Sequence, residues 1–394
     1  PWARGGRGTS ASSRRRSAPG AVGGAYGALS RRVRGPSLFP RPHAYYRWPL
    51  GVLTLALGGA GAGFVLLGGA WFQLLVAGAL GLILTQFAFV AHEASHRQVF
   101  ASGPANGRRG KVLANGVVGI SHSWWMNKHT RHHANPNRRG KDPDIAPDVV
   151  VFLEEDAEVA KGFRAVINRY QGWLFFPLLT LEGVNLHVQA FRSLLAGGRA
   201  RGDVRTRVIE IVTITLRLSL YVGAVVWFLP LGLAAAFLGV QLAVFGVYMG
   251  ASFAPNHKGM AIIPADSKID FLSKQVLTSR NIRGGWWMNI LMGGLNFQIE
   301  HHLFPSMPRP HLARAREIVR EHCAHLGLPY TATRLAQSYA IVVRYPNRVG
   351  PSARHPFDRP LLRYPRRVCP PPPCCTTPRR PPPPAPPRAP GAPA

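Results

Sequence analysis

Two long stretches without a charged residue dominate the pattern of apolar and polar positions in this 394-residue chain. Neither 49–91 nor 218–256 contains a Lys, Arg, Asp or Glu residue. A helix needs about 20 apolar residues to cross a bilayer. Because each stretch is roughly twice that length, each predicts two membrane-spanning helices joined by a tight turn. The four predicted spans are about 49–68, 70–91, 208–228 and 231–253.

The pattern outside the spans divides the chain into three parts. Residues 1–44 are rich in Gly, Ser, Ala and Arg and are predicted to form a disordered basic segment. Residues 45–350 are the predicted membrane domain, and residues 351–394 are predicted to be a disordered tail of Pro and Arg. The expected fold is an all-α integral membrane protein with four transmembrane helices in two hairpins and a helical cap on the cytoplasmic side.

The formal net charge of +31 raises the question of a nucleic-acid partner. The excess is concentrated at the ends, since residues 1–47 contain ten Arg and no acidic residue. These segments lack the interleaved aromatic residues of a single-strand binder, and no nucleic-acid partner is predicted. Positive residues near membrane spans instead mark the cytoplasmic side and its anionic lipids. The residues that indicate this side are Arg31, Arg32, Arg34, Arg138 and Arg139.

Three clusters of histidines lie beside the predicted spans. The first pair is spaced i, i+4 and the second cluster i, i+3, i+4, so a helix puts the members of each on one face. The third cluster is an adjacent pair that follows a long apolar segment. Three clusters on one side of the membrane predict a metal site, because imidazole suits Fe, Zn, Cu and Ni. The seven residues are His92, His96, His129, His132, His133, His301 and His302.

Seven imidazoles exceed the needs of one metal ion, since a single zinc ion takes three or four protein ligands. They predict a di-metal site with about four ligands for each ion, which leaves one ligand to be found. His257 follows the fourth span on the same membrane side and is one candidate. Gln298, on the same helical face as His301, is the other, through its amide directly or through water.

The first cluster also matches the motif HExxH, in which the Glu of a zinc protease is the general base. Here the motif is His92-Glu93-Ala94-Ser95-His96. A membrane zinc metalloprotease leaves five other clustered histidines unexplained and places the motif at the end of a span. It stays open as an alternative function.

The strings HEASH, HTRHH and QIEHH, with apolar hairpins around them, resemble the three histidine boxes of the membrane-bound fatty acid desaturases. The longer strings WWMNKHTRHHANPN, FAPNHKGM and NFQIEHHLFPSMPRP are similar to the bacterial acyl-CoA and acyl-lipid branch. The resemblance covers about 45–350, and the Gln that opens the third box is similar to that of linoleoyl-CoA and front-end desaturases. It implies an O₂-dependent desaturase in the bacterial cell membrane that introduces a double bond into a fatty acyl chain.

The resemblance also implies roles for individual residues. The seven clustered histidines and His257 would bind two Fe ions, with O₂ as co-substrate and no catalytic side chain beyond the metal centre. Such a centre supplies the strong oxidant that an unactivated methylene requires and that no amino acid provides. Residues implied to orient imidazole N–H groups are Asp142, Asp144 and Glu300. Residues implied to contact the metals directly or through water are Asn256 and Gln298.

The partners implied are a fatty acyl substrate, linked to CoA or to lipid, and membrane lipid. The chain contains no HPGG haem motif, so a separate electron donor is expected, a ferredoxin or a cytochrome b5-like protein with its reductase. A di-iron membrane hydroxylase or monooxygenase would use nearly the same ligands and insert oxygen instead. That alternative also stays open.

Overall fold

The computed structural model describes residues 19–35, 38–196 and 203–350. Within these residues the chain is mostly helical, with one short parallel pair of strands. The helices are α1 (Pro19–Arg34), α2 (His43–Leu66), α3 (Gln73–Ser95), α4 (Gly103–Lys111), α5 (His122–Ala134), α6 (Glu154–Glu158), α7 (Phe163–Leu179), α8 (Glu182–Leu195), α9 (Val204–Phe228), α10 (Leu231–His257), α11 (Phe271–Thr278), α12 (Trp286–Leu291), α13 (Gln298–Leu303), α14 (Leu312–His325) and α15 (Leu335–Val349). The strands are β1 (Asn281–Arg283) and β2 (Ala332–Arg334). A π-helical segment, Val112–Val118, and two 3₁₀ turns, Leu295–Phe297 and Arg309–His311, complete the regular structure.

Four of the described helices, α2, α3, α9 and α10, are long and apolar enough to cross a membrane. The prediction of a mostly helical chain with four such spans is therefore confirmed. All four continue past the predicted spans at the end that carries histidines or charges. No glycine or proline interrupts α3 between His92 and Ser95, so the helix extends through the first histidine cluster instead of ending before it.

The two helices that carry histidines from the membrane side, α3 and α10, pack directly against each other. They approach each other closely at Gly81, where a Cβ would lie 2.9 Å from the backbone oxygen of Gln241. On the other side of α10, Gly246 lies against the backbone of Gly183 in α8. Small residues allow such close approach between helices in a membrane. These contacts fix α3 and α10 relative to one another below the histidines.

Helix α1 differs from the disorder predicted for residues 1–44. Tyr26, Leu29 and Val33 lie along one side of the helix, and Leu29 and Val33 are fully buried against α13 and α14. The Tyr26 hydroxyl donates a hydrogen bond of 2.9 Å to the carbonyl of Leu303. Composition indicated disorder because this apolar face is short and its partner surface comes from the far end of the chain. Residues 1–18 and the predicted tail 351–394 lie outside the described residues.

Candidate metal centre

Eight buried or partly buried histidines from four helices converge at the ends of α3 and α10. They form a five-histidine group and a three-histidine group, and the nitrogens of each group lie within 4.8 Å of one another. The five-histidine group comprises His92, His96, His129, His133 and His301. The three-histidine group comprises His132, His257 and His302. The structure thus brings together all seven histidines of the predicted clusters and the candidate His257.

The spacing of the ring nitrogens suits shared metal ions. The Nε2 atom of His129 is 3.0 Å from that of His92 and 2.8 Å from that of His96. In the second group the Nε2 atoms of His132 and His257 are 3.3 Å apart. Two nitrogens bound to one ion at about 2.0–2.1 Å each are separated by roughly 3 Å. Both groups therefore have the geometry of ligands that surround one point.

Other ring nitrogens of the two groups have no hydrogen-bond partner within the described part of the chain. They are buried, and burying a polar nitrogen without a partner is costly. A metal ion would satisfy one nitrogen of each of the His133, His301 and His302 rings, which supports the fit of the residues to a di-metal centre. These atoms include Nε2 of His133, His301 and His302.

Hydrogen bonds donated by Nδ1 orient all three members of the three-histidine group. Asp142 lies 3.0 Å from Nδ1 of His132, and Asp144 lies 3.3 Å from the same atom. His257 Nδ1 donates to the carbonyl of Thr278 at 2.9 Å. His302 Nδ1 donates to Gln275 Oε1 at 3.0 Å. With the proton held on Nδ1, each Nε2 lone pair is free for a metal ion.

The pKa values of most of the histidines outside the spans are lowered. A lowered pKa favours the neutral imidazole, which is the form that binds a metal. Burial lowers the pKa of His96 to about 4. Burial, with the neighbouring imidazoles, places the pKa of His301 and His302 well below the usual range. For His132 burial also acts to lower the pKa, but Asp144 and Asp142 outweigh it, and the net pKa is raised.

Gln298 and Asn256 lie beside the three-histidine group. The Gln298 side-chain amide is 2.9 Å from His257 Nε2. It lies where a fourth ligand could join the three histidine nitrogens around one metal ion. Asn256 Nδ2 donates to Gln298 Oε1 at 3.1 Å. Asn256 Oδ1 is buried with no partner among the described residues. Both residues therefore lie where a direct or water-mediated contact to a metal is feasible.

Glu300 does not orient an imidazole, contrary to the role implied by the resemblance. Its carboxylate accepts hydrogen bonds from Asn281 Nδ2 at 2.7 Å and from the Tyr330 hydroxyl at 2.8 Å. Successive residues of a helix point about 100° apart, so in α13 Glu300 faces β1 while His301 faces the site. Glu300 anchors α13 to the strands, and burial raises its pKa to about 7.

Glu93 is likewise turned away from the histidines that flank it. Its carboxylate forms a bidentate ion pair with Arg309, which lies beyond the third cluster, and accepts a hydrogen bond of 3.2 Å from Tyr46. All three side chains are buried. The zinc-protease interpretation requires Glu93 to act as a general base, but its carboxylate is paired with Arg309 and points away from the histidines.

Two orienting residues of the site, Gln275 and Thr278, were not predicted from the sequence. Both lie on α11, and Gln275 also donates from Nε2 to the carbonyl of His133 at 2.9 Å. Gln275 therefore links the second cluster to the third. Its only sequence signal is a polar residue in the segment 271–278, in which half of the residues are polar, and this is too common to single out.

Local sequence explains how the second and third clusters are positioned. Gly293 and Gly294 have φ values of 56° and 82°, and a Cβ on Gly293 would overlap the Phe89 ring. Glycine is favoured at such positions, and this turn positions α13 at the site.

At the start of α5, the hydroxyls of Ser121 and Ser123 each donate to buried Glu210 of α9 at 2.6 Å. A carboxylate at this end also suits the helix dipole.

An apolar cavity, termed the proximal cavity, adjoins the five-histidine group. It has an empty volume of about 440 Å³ and reaches His92 and Trp125. The Trp125 indole stacks on the His129 ring with centroids 5.1 Å apart. The remaining lining residues are Ala88, Phe89, Ala91, Ser95, Ala114, Val118, Ile120, His122, Met249 and Phe253.

Fold and site together define a helical membrane protein with a histidine-rich centre able to hold metal ions. A family model described as fatty acid desaturase matches residues 69–334, more than half of the chain. The chain belongs to the fatty acid desaturase family. The resemblance drawn from the three histidine boxes is therefore confirmed.

Curated relatives agree with the family. The chain is 30% identical over 281 residues to an acyl-lipid (9-3)-desaturase of Physcomitrium patens, covering 70% of this chain and 53% of that protein. It is 30% identical over 294 residues to a Delta(8)-fatty-acid desaturase of Helianthus annuus, covering 71% and 63%. A Delta(6)-fatty-acid desaturase of Caenorhabditis elegans is 30% identical over 274 residues, covering 66% and 61%. The chain thus spans between half and two thirds of the length of these relatives.

Proposed function

We propose that this protein is an O₂-dependent fatty acyl desaturase whose eight histidines hold two Fe ions. The observation that carries the proposal is the division of these histidines into two buried groups beside an apolar cavity. Zinc would fit the same nitrogens but is redox-inactive. Family membership favours desaturation over hydroxylation, which would use nearly the same ligands.

The proposed reaction converts two adjacent methylene carbons into a double bond. Two protons and two electrons leave the acyl chain, the donor supplies two more electrons, and O₂ takes up these four electrons with four protons, two of them from solvent, to become two molecules of water. The metal ions, when bound, supply the oxidising chemistry that side chains lack. The residues that would hold one ion are those of the five-histidine group, and His132, His257 and His302, with Gln298 beside them, would hold the other.

The protein's own residues would position the chain and exclude water. The proximal cavity, lined mainly by apolar side chains, would place an acyl methylene against His92 and the Trp125 ring. A dry, shaped cavity protects a reactive centre from side reactions. Asp142 and Asp144 would hold His132, and Thr278 and Gln275 would hold His257 and His302.

We further propose that the substrate is a CoA-linked or lipid-linked acyl chain, and the acyl-lipid (9-3)-desaturases among the relatives support the lipid-linked form. Electrons would come from a separate ferredoxin or cytochrome b5-like donor with its reductase. Arg97 and Arg131 are exposed and lie near the partly buried His96 and His133 in the sequence. Such a basic surface complements an acidic donor.

The four spans are proposed to form two hairpins that place all histidines on the cytoplasmic side. Gly69, between α2 and α3, and Asp266, after α10, are both exposed and would lie on opposite sides of the membrane. In intact cells, a membrane-impermeant maleimide should label Gly69→Cys, and label Asp266→Cys only after lysis. The parent chain, with four native cysteines, gives the background. Equal labelling of both variants in intact cells would contradict the hairpin arrangement.

The function is tested by gas chromatography–mass spectrometry of total fatty acids from a host expressing the full chain. The full chain is used because α1 packs on the histidine-bearing helix α13. A new unsaturated acid is expected, absent from His301→Ala and retained in His311→Ala, a histidine whose hydrogen-bond partner is Pro40. A hydroxy acid would move the protein to the hydroxylase class. Full activity of His301→Ala would overturn the ligand assignment.

A further inference from the structure

A second cavity, termed the distal cavity, lies among α3, α8, α9 and α10. Its lining is mainly apolar, and the space of about 710 Å³ is partly open to the outside of the protein, where Val184 and Val222 are exposed. Residues from α9 and α10 that line it include Leu218, Val222, Leu238, Leu242 and Phe245. It touches none of the eight histidines of the metal centre. The catalytic proposal does not account for this space.

One residue, Val118, lines both the proximal and the distal cavity. Its side chain is 2% exposed and packs with Leu84 and Phe245. No other residue is common to the two linings. Val118 is therefore the point at which the walls of the two cavities meet.

The backbone around Val118 is held in place by a cation. Val118 ends the π-helical segment Val112–Val118, and Gly119 follows with a φ of 91°. Carbonyls in the last turn of a helix need partners from elsewhere. Arg217, in the span α9, donates from Nε to the carbonyl of Val117 at 3.0 Å. π-Helical turns occur frequently at functional sites, and a charged residue inside a span marks a role with a definite partner.

We infer that the distal cavity receives the part of the acyl chain beyond the metal centre and that Val118 determines how long a chain fits. Arg217 itself lines the distal cavity and also positions Val118 through its hydrogen bond to the Val117 carbonyl. The inference rests on the proposed desaturase function. It assigns chain-length selection to a π-helical segment outside the histidine boxes.

The first test compares substrate selection in Val118→Ala, Val118→Phe and a matched control, Val225→Ala. Val225 is a buried valine of α9 that lines neither cavity. The full chain is supplied with saturated acyl chains from myristoyl to arachidoyl, and unsaturated products are quantified. A methylene that gains or loses its space in an apolar pocket changes selectivity by about tenfold or more. Val118→Ala should therefore shift the ratio of products toward longer chains, and Val118→Phe toward shorter ones, with Val225→Ala like the parent.

The role of Arg217 has its own variants. Arg217→Gln should broaden the range of chain lengths, while Arg217→Lys, which keeps a donor for the Val117 carbonyl, should restore selection. Iron content and melting temperature are measured alongside, because a merely structural role would lower both without changing the ratio of products. A parent-like ratio in Arg217→Gln would overturn the positioning role.

The second test does not require turnover. An acyl chain with a diazirine at its methyl end is photolysed on the full chain, and labelled peptides are located by mass spectrometry. In the parent protein a stearoyl probe should label the α9 and α10 peptides around the distal cavity. In Val118→Phe the label should move to the α3 and α5 peptides around the proximal cavity. Labelling of the same peptides in both proteins would overturn the inference, whereas absent products with the expected labelling would count only against the desaturase function.

Discussion

At the scale of single residues, the two glutamates inside histidine boxes have structural and not catalytic surroundings. Glu93 pairs with Arg309, and Glu300 is bound by Asn281 and Tyr330. Each ties its box to a distant segment of the chain. Because the two carboxylates point away, the groups of these boxes that face the metal centre are the histidine ring nitrogens. Acidic residues that bind histidine instead come from the loop after α5, through Asp142 and Asp144.

The Glu93–Arg309 pair predicts a stability effect. Removal of one partner of a buried ion pair costs about 3–5 kcal/mol, because the other charge is left uncompensated. Glu93→Ala should therefore lower the melting temperature of the purified protein strongly, and Glu93→Leu combined with Arg309→Met should recover much of the loss. Melting is followed by intrinsic fluorescence in detergent.

The exposed pair Arg32–Glu321 is the matched control for this experiment. Surface pairs contribute about 0–1 kcal/mol, so Glu321→Ala should have little effect. If Glu93→Ala and Glu321→Ala melted alike, the buried pair would not have the anchoring role described above.

At the scale of elements, the site depends on close packing of α8 and α10. Gly246 of α10 lies where a Cβ would overlap the backbone of Gly183 and Leu179. His257 is the last residue of the same helix. A displacement of α10 at Gly246 would therefore move His257 relative to His132 of α5 and His302 of α13.

Gly246→Ala is accordingly expected to destabilise the protein and to lower its iron content. Overpacking of a well-packed site costs typically about 1–3 kcal/mol. Gly239→Ala, on the same helix with open space at the Cβ position, should behave like the parent. The measurements are melting temperature and iron per chain. An effect of equal size in both variants would mean that helix propensity, and not the α8 contact, is responsible.

A comparison of the predicted and observed helices shows which features of the fold can be predicted from the sequence alone. The four spans and the histidine clusters follow from local composition and spacing, and these predictions agree with the helices and with the convergence of the histidines. Helix α1 and the contacts of Gln275, Thr278 and Glu300 depend on partners far away in the chain. The Tyr26–Leu303 hydrogen bond, for example, joins residues 277 positions apart. No local periodicity specifies such partners.

At the scale of the whole molecule, the apolar spans and the polar site form one continuous arrangement. The histidines cap α3 and α10, the proximal cavity lies directly beside them, and the distal cavity lies among the spans beyond Val118. This sequence of metal centre, proximal cavity and distal cavity suits a long apolar substrate better than a peptide or a small soluble molecule. This agrees with membership of the fatty acid desaturase family.

The measurement that tests this account most directly is the metal content of the purified full chain after anaerobic reconstitution with ferrous iron. Elemental analysis should find about two iron ions per parent chain, since each histidine group suits one ion. His302→Ala, which removes a ligand of the three-histidine group, should retain about one, while His311→Ala should match the parent. One tightly held zinc ion in the parent chain, or an iron content unchanged in His302→Ala, would contradict the two-metal centre and the oxidative function built on it.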